Sequence, residues 1–235
     1  MGELSVSEDE FLDEGEDYIV NIYGNIGEKL KLYSGFDSMI RELIQNSDDS
    51  ADGQIVDVDI FFNEDTLVLK NNTVFTERDW EHIKEISSGN KKNDPNRAGR
   101  FGIGFTSVFK ICDTLNIHSK GISKKLDLNT LKWNKYRTPR HDEKNITEFE
   151  FFWRTENSNV HKKIGGDIVT PQKRGEYLNK LMKSIDNDLY FLKNIRRIRI
   201  YEKGIRQCAT FSVKLSLPFS SCFLIIVPLL NTYFL

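Results

Sequence analysis

The sequence contains few cysteines, and their arrangement excludes two classes of protein. Only three cysteines occur in the chain, and none forms a CxxC pair. This scarcity argues against a disulfide-stabilised secreted scaffold and against a cysteine-based zinc site. The N-terminus is acidic where a secretory signal peptide requires a basic stretch. We therefore expect a reduced, intracellular environment, the cytoplasm, for this chain.

The chain also has no excess of one charge. Its 33 basic and 35 acidic side chains leave a formal net charge of −2 over 235 residues. No overall basic field therefore directs it to nucleic acid, and we expect no nucleic-acid partner. The hydrophobic share of 39% and the charged share of 29% are typical of a soluble globular protein. The length is sufficient for one domain with a substantial core.

The two ends differ in composition from the centre of the chain. Residues 3–17 hold eight acids and no base, so we interpret residues 1–17 as an acidic, disordered arm. Residues 214–235 carry no charge after Lys214. Because two prolines interrupt this apolar tail and no basic flank follows it, we favour a truncated or mis-spliced end, or a strand pair without its partner, over a membrane anchor. The folded domain is expected over residues 18–213.

The hydrophobic patterns predict a mixture of helices and hairpin-connected strands. Helices are predicted over residues 26–32, 38–51 and 176–192, after a capping box at Thr76–Asp79, and briefly after residue 105. Strands are predicted over residues 55–62, 66–70, 115–119, 147–153, 195–202 and 208–215. Residues 120–145 have no pattern that places an element. The order has no βαβ rhythm, which predicts an α+β sandwich with helices on one face of a mostly antiparallel sheet.

One predicted helix carries a polar arc beside its apolar face. Glu42, Asn46 and Asp49 follow one another at helical spacing. An Asn amide oxygen is a suitable ligand for a phosphate-bound Mg²⁺, which takes only one or two protein oxygens. A carboxylate one turn earlier can accept a proton from an attacking water. Taken alone, the arc is more typical of a solvent-exposed polar face.

A glycine-rich stretch, residues 99–105 (GRFGIGF), precedes a short apolar segment. Glycines let the backbone approach phosphate, and the following helix N-terminus offers free N–H groups. The stretch follows a polar loop at residues 87–98, whose composition suits a mobile lid or a plain surface loop. It has neither the βαβ setting of a dinucleotide fingerprint nor the Gly-Lys-Ser/Thr of a P-loop.

The order of these elements resembles that of the GHKL superfamily, whose members include gyrase, heat-shock chaperone, histidine kinase and MutL ATPases. RELIQNSDDSA resembles its N-box, and GRFGIGFTSVF resembles its phosphate-binding glycine motif. Within that superfamily the chain is most similar to the ATP-binding-like repeat of the sacsin family, over residues 26–203. The resemblance implies a Bergerat-type two-layer fold, with ATP and Mg²⁺ as ligands.

The resemblance also implies a role for each matching residue. Glu42 matches the glutamate that activates water, Asn46 matches the Mg²⁺-coordinating asparagine, and Asp49 matches a residue lining the nucleotide pocket. Gly102, Ile103, Gly104 and Phe105 match the stretch whose backbone holds the phosphates. Thr147, on a strand, matches a threonine near the adenine.

One position departs from the superfamily pattern. The motif Asp-x-Gly-x-Gly, whose carboxylate accepts from the adenine amino group, is replaced by Lys70-Asn71-Asn72-Thr73. Asn71 can accept through its amide oxygen, but an uncharged acceptor is weaker than a charged one by about 1 kcal/mol. We therefore expect Asn71 to be the adenine-facing residue of a site with reduced affinity.

Two hypotheses of different classes follow. The first is a module of a sacsin-like, chaperone-type protein that binds ATP or ADP and slowly hydrolyses ATP with Mg²⁺, with protein clients or co-chaperones as partners. The second is a non-catalytic protein-interaction module on the same fold with a degenerate pocket. A histidine-kinase domain is disfavoured, because none of the four histidines lies in a phosphoacceptor-type helix.

Overall fold

The computed structural model describes residues 21–32, 35–88, 103–135, 145–189, 192–203, 206–214 and 225–226. Their strands form one sheet in the order β5-β4-β3-β6-β2-β1-β7-β8-β9. The strands are β1 Val56–Phe62, β2 Thr66–Asn71, β3 Cys112–Ser119, β4 Ile122–Asp127, β5 Lys132–Lys135, β6 Thr147–Trp153, β7 Ile195–Glu202, β8 Arg206–Lys214 and β9 Ile225–Ile226.

The helices lie before, between and after these strands. They are α1 Ile22–Leu32, α2 Phe36–Asp49, α3 Glu77–Ser88, α4 Asn159–Ile164 and α5 Pro171–Leu189, with a 3₁₀ helix over Ile103–Lys110. The expectation of an α+β fold is confirmed.

The sheet is antiparallel except where β1 pairs with β7. Along β1 the buried residues alternate with half-buried ones, so one face of the strand belongs to the core. On that face Val58 lies beside Ile198, and Ile60 lies beside Ile200. These four side chains have no exposed surface. This alternation makes β1 a half-buried strand in the centre of the sheet.

Helices pack on the core face of the sheet. Phe36 at the start of α2 stacks on Tyr177 of α5, with ring centroids 4.1 Å apart, and lies 6.0 Å from Phe62 of β1. Trp80 of α3 meets Phe75 edge to face at 4.9 Å. The aromatic side chains therefore pack α2 against α5 and β1, and Phe75 connects α3 to Phe149 of β6, at 5.8 Å.

The predicted capping box at the start of α3 is confirmed. Thr76 donates from its backbone N–H and from Oγ1 to Asp79 Oδ2, at 2.7 and 2.8 Å, and the N–H of Asp79 donates back to Thr76 Oγ1 at 3.3 Å. Asp37, by contrast, does not cap α2. The cap position is Gly35, which offers no side chain. Asp37 lies in the first turn and pairs with Lys180 at 2.9 Å.

Two further expectations differ from the structure. The segment after residue 105 is a 3₁₀ helix, in which the Ser107 hydroxyl donates to the carbonyl of Gly104 at 2.6 Å. The patternless region contains the β4–β5 hairpin. Its alternation is hidden because Lys124 occupies a core-facing position, with its ammonium 4.3 Å above the ring of Trp80.

The two chain ends lie largely outside the described residues. The predicted acidic arm falls wholly outside them. Of the apolar tail, Ile225–Ile226 pairs with Val213 and Lys214 of β8, as a short strand at the sheet edge. Among the described helices, none combines the length and apolar character that a membrane span requires.

Candidate functional site

The polar arc of α2 is held in place by the apolar face of the same helix. Four residues of that face, Met39, Ile40, Leu43 and Ile44, are at most 1% exposed. Burial of side chains of this size stabilises the fold by about 1.5–3 kcal/mol each. The helix therefore cannot rotate without exposing its apolar face, and the arc that begins at Glu42 has a fixed direction.

A buried carboxylate fixes the end of this helix. Asp48 accepts the backbone N–H groups of Lys193, Asn194 and Ile195 at 3.0, 2.7 and 2.8 Å. These three groups belong to the entry into β7, and Asp48 is 4% exposed. Nothing in the sequence singles out Asp48 from Asp49 beside it. Asp48 is therefore the anchor of α2, while Asp49 lies on its exposed side.

The first contact within the site joins α2 to the 3₁₀ helix. A Cβ atom built on Gly104 would overlap the carboxyl carbon and both carboxyl oxygens of Glu42. Gly104 is not among the residues with positive φ, so an added methyl group here would displace the Glu42 carboxyl group and would not strain the backbone. Two residues that the sequence separates by 62 positions therefore lie in direct contact.

The setting of Glu42 shifts its acidity. The pKa of Glu42 is raised, first because burial disfavours the charged carboxylate and second because Asp49 repels it. A polar interaction with Asn46 opposes this shift. A raised pKa brings a carboxyl group closer to the pH at which it can act as a general base.

Three buried polar atoms on α2 and the 3₁₀ helix have no hydrogen-bond partner among the described residues. They are Oδ1 of Asp37 in the first turn of α2 and, nearer to Gly104, Nδ2 of Asn46 and the hydroxyl of Thr106. Asn46 is 6% exposed and Thr106 is fully buried. An unsatisfied buried polar group costs about 1–3 kcal/mol, and such groups occur where a ligand completes the bonding. Thr106 was not predicted, although it directly follows the glycine stretch.

A second group of predicted residues meets at the ends of three strands. Asn71 of β2 lies directly opposite Thr147 of β6, which in turn lies opposite Ser119 of β3. The Thr147 and Ser119 hydroxyls are 2.8 Å apart, and the Ser119 hydroxyl accepts the N–H of Phe75 at 2.8 Å. Asn71, Thr147 and Ser119 form a row across the three strands, and all three are buried. Asn71 and Thr147 thus lie next to each other at this end of the sheet.

This row is connected to α2 by hydrogen bonds. Asn71 donates from Nδ2 to the Ser47 hydroxyl at 2.9 Å. Its Oδ1 accepts from the N–H and the hydroxyl of Thr73, at 2.9 and 2.7 Å. The Thr147 hydroxyl donates to the Thr73 carbonyl at 3.0 Å. An amide oxygen has two lone pairs, so Oδ1 of Asn71 is already fully engaged by Thr73.

An arginine holds the far end of the 3₁₀ helix. Arg154 donates to the backbone carbonyls of Phe109, Lys110 and Cys112, at 2.7, 3.1 and 3.1 Å. It also forms an ion pair with Asp113 at 2.6 Å, in which the Arg154 side chain is 1% exposed. This planar, multiply bonded guanidinium fixes where the 3₁₀ helix ends. It therefore supports the segment on which Gly104 lies.

The other predicted residues of the glycine stretch are described only in part. Gly102 lies outside the described residues, and so does most of the polar loop before it. Ile103 is the first residue of the 3₁₀ helix, described through its backbone only. Phe105 is 1% exposed and packs 5.6 Å from Phe149. Its side chain belongs to the core, which leaves its backbone for any ligand contact.

The donor set fits a hard cation such as Mg²⁺. Glu42, Asn46 and Asp49 offer carboxylate and amide oxygens, which are the ligands that Mg²⁺ prefers. In the described part of the chain, no three His, Cys, Asp or Glu side chains cluster as a metal site. A cation here would therefore take most of its ligands from water and phosphate.

Fold and site together define an α+β domain in which a polar helix face contacts a glycine segment. A family model described as the sacsin domain matches residues 53–135. That match covers Asn71 and Gly104 and runs from the residues just before β1 to the end of β5.

Curated proteins similar to the chain include the following two. The human protein Sacsin is 25% identical over an alignment of 216 positions, which covers 73% of this chain and 5% of that protein. Protein NO VEIN of Arabidopsis thaliana is 33% identical over 101 residues, which is 42% of this chain and 4% of that protein. The matches support a relationship to the sacsin family, and the chain spans about a twentieth of the length of either relative.

Proposed function

We propose that this chain is a nucleotide-binding module of the GHKL type, with the two-layer Bergerat architecture, which binds ATP with Mg²⁺ and hydrolyses it slowly. The observation that carries the proposal is the contact between the Glu42 carboxyl group and Gly104. It brings a candidate base onto a backbone segment suited to phosphate. The relationship to the sacsin family and the superfamily resemblance of both motifs support the same function.

Each residue has a distinct part in this proposal. Asn46 holds Mg²⁺ through its amide oxygen, and Mg²⁺ when bound offsets the negative charge of the phosphates. The backbone of Gly104 and its neighbours faces the phosphates. Glu42 accepts the proton of the attacking water, a role for which a raised pKa is suitable. Asp49 lines the pocket beside it, and Thr147 lies near the adenine.

A second function is favoured by one observation. Both polar atoms of the Asn71 side chain are engaged within the protein, so reading an adenine amino group requires a rearrangement of this network. An interaction module with a degenerate pocket needs no such rearrangement. The two functions differ in one property, since only the first binds nucleotide in a Mg²⁺-dependent manner.

The proposal is tested by separating binding from hydrolysis with two variants on one helix. Glu42→Ala should leave Mg-ATP affinity within a few-fold and remove nearly all turnover, because a positioned base contributes about 10²- to 10⁴-fold. Asn46→Ala should instead lose the Mg²⁺-dependent part of binding. Affinity is measured by calorimetry, and turnover by phosphate release from homogeneous protein.

A matched control is available on the same helix. Gln45→Ala alters an exposed residue between the two site positions and should change neither property. Hydrolysis by Glu42→Ala at the wild-type rate, with contaminating ATPase excluded, would contradict the assigned role of Glu42. Unchanged Mg²⁺-dependent binding by Asn46→Ala would contradict the assigned role of Asn46.

A further inference from the structure

Three lysines lie near one another where the β4–β5 edge of the sheet meets α3. Lys124 places its ammonium 4.3 Å above the Trp80 ring. Lys135 lies directly opposite Lys124 in the β4–β5 register. Lys84 follows Trp80 by one helical turn, on the same side of α3. We refer to Lys84, Lys124 and Lys135 as the lysine triad.

The triad is a concentration of like charge. Like charges directly opposite each other on neighbouring strands destabilise a sheet. The pKa of Lys124 is lowered, first by burial and then by repulsion from Lys84 and Lys135. No ion pair within the described ranges joins any of the three to a carboxylate. An anionic group placed against the triad would relieve this repulsion.

The described chain begins beside the same hairpin. The Tyr23 hydroxyl of α1 donates to the carbonyl of Leu128 at 2.7 Å, and Leu128 directly follows β4. The ring of Tyr23 is also covered by Lys163, at 4.2 Å. Leu128 is four residues along the strand from Lys124, a distance of about 13 Å. The residues that precede α1 therefore enter the fold within a short span of the triad.

We propose that the acidic stretch of residues 3–17 binds to the lysine triad. This stretch has eight acids and no base, so its charge is complementary to the triad. Asp17 precedes Asn21, where the described chain begins, by four residues, and Glu8 precedes it by thirteen. An extended chain spans about 3.3–3.6 Å per residue. Glu8 can therefore reach about 43–47 Å from Asn21, more than three times the span from Leu128 to Lys124, so the acids in the first part of the stretch can reach the triad.

The tether favours this occupant over an external one. A segment joined by a short linker acts at an effective concentration in the millimolar range. Exposed ion pairs contribute only about 0–1 kcal/mol each, so the contact should be reversible and sensitive to salt. Nucleic acid is the less favoured anion, because the chain as a whole has a net charge of −2. The proposal is independent of nucleotide binding.

The test is the chemical reactivity of individual lysines in the full chain. The amines are labelled with a low dose of acetic anhydride and quantified by mass spectrometry. Wild type is compared with a variant whose arm is neutralised by E3Q, E8Q, D9N, E10Q, D13N, E14Q, E16Q and D17N. Neutralisation should raise labelling of the triad several-fold, and 0.5 M NaCl, about ten times a low-salt buffer, should raise it in wild type. Three exposed lysines without described partners are the internal controls and should not change: Lys162, Lys183 and Lys203.

A second measurement identifies the occupant. Carbodiimide joins carboxylates to adjacent amines, so wild type should give cross-links between residues 3–17 and the triad. They should be lost in K84Q/K124Q/K135Q and retained in K162Q/K183Q/K203Q. Equal labelling of the triad in wild type and in the arm-neutralised variant would overturn the proposal. Protection of the triad only by an added oligonucleotide, or cross-links spread evenly over the control lysines, would overturn it too.

Discussion

The Glu42 carboxyl group lies against the Cα atom of Gly104, so closely that no Cβ fits between them. Gly104→Ala should therefore displace the carboxyl group while leaving the backbone conformation allowed. If Glu42 is the base, a displacement of about 1 Å reduces turnover by about 100-fold. Phosphate release under saturating Mg-ATP measures this effect.

A second glycine provides the control for that substitution. Gly175 lies within α5, and a Cβ built on it meets no atom within 4 Å. Gly175→Ala should raise the free energy of unfolding by about 0.5–1 kcal/mol, because glycine disfavours a helix interior, and should leave turnover unchanged. Full activity in Gly104→Ala would show that the Glu42–Gly104 contact has no part in hydrolysis.

The raised pKa of Glu42 predicts how stability depends on pH. In the folded state the carboxyl group holds its proton to a higher pH than the ordinary value near 4.5, because burial and Asp49 disfavour its charge. The folded state thus binds more protons than the unfolded state between these two pKa values. Stability from this group is complete below pH 4.5 and is lost as the pH rises through the folded-state pKa.

Glu42→Gln should therefore be more stable than wild type at pH 7, and the difference should disappear near pH 4. Urea denaturation at a series of pH values measures both curves. Glu64→Gln, at an exposed glutamate in the β1–β2 turn, should follow wild type throughout. Parallel curves for Glu42→Gln and wild type at every pH would contradict the raised pKa.

The ion pair between Arg154 and Asp113 should be a major determinant of stability. Removing one partner of a buried pair costs about 3–5 kcal/mol, because the other charge stays buried without compensation. Arg154→Ala should show a loss of this order in urea denaturation, since it also removes the donor to five backbone carbonyls. Lys180→Ala breaks the pair with Asp37, in which Lys180 is 60% exposed, and should cost under about 1 kcal/mol. Similar losses in both variants would refute this ranking.

The Asn71 network predicts what a carboxylate would do at that position. In Asn71→Asp, one oxygen keeps the two bonds from Thr73, and the other replaces the Nδ2 donor with a charged acceptor near Ser47. We expect ATP binding to tighten and discrimination against GTP to increase, as measured by competition with a fluorescent nucleotide. Asn179→Asp adds the same charge at an exposed position of α5 and should do neither. Unchanged affinity and selectivity in Asn71→Asp would disprove the mapping of Asn71 to the adenine.

Local patterns in the sequence predicted the elements that are determined by residues close together in the chain. The alternation in β1, the capping box of Thr76 and Asp79 and the strand that carries Thr147 are examples, since each depends on residues a few positions apart. Asp48 and Arg154 could not be predicted in this way. Asp48 bonds to residues 145–147 positions away, and most partners of Arg154 lie 41–45 positions away. A charged residue in isolation suggests the surface.

The same limit applies to the candidate site. Helical spacing placed Glu42 and Asn46 on one arc, but only the packing of α2 against the 3₁₀ helix brings Glu42 onto Gly104. The hydrogen bonds that engage Asn71 likewise depend on Ser47 and Thr73 from two other segments. Spacing therefore identified the residue types, and the tertiary contacts determine what each atom can still bind.

The most direct test of the central proposal is calorimetric titration of the chain with Mg-ATP. We predict a dissociation constant in the micromolar-to-millimolar range, or about −8 to −4 kcal/mol, with binding lost when EDTA removes Mg²⁺. Mg-ADP should also bind. No heat and no shift in melting temperature with ATP, ADP or GTP at several millimolar would contradict nucleotide binding and leave the interaction module as the function.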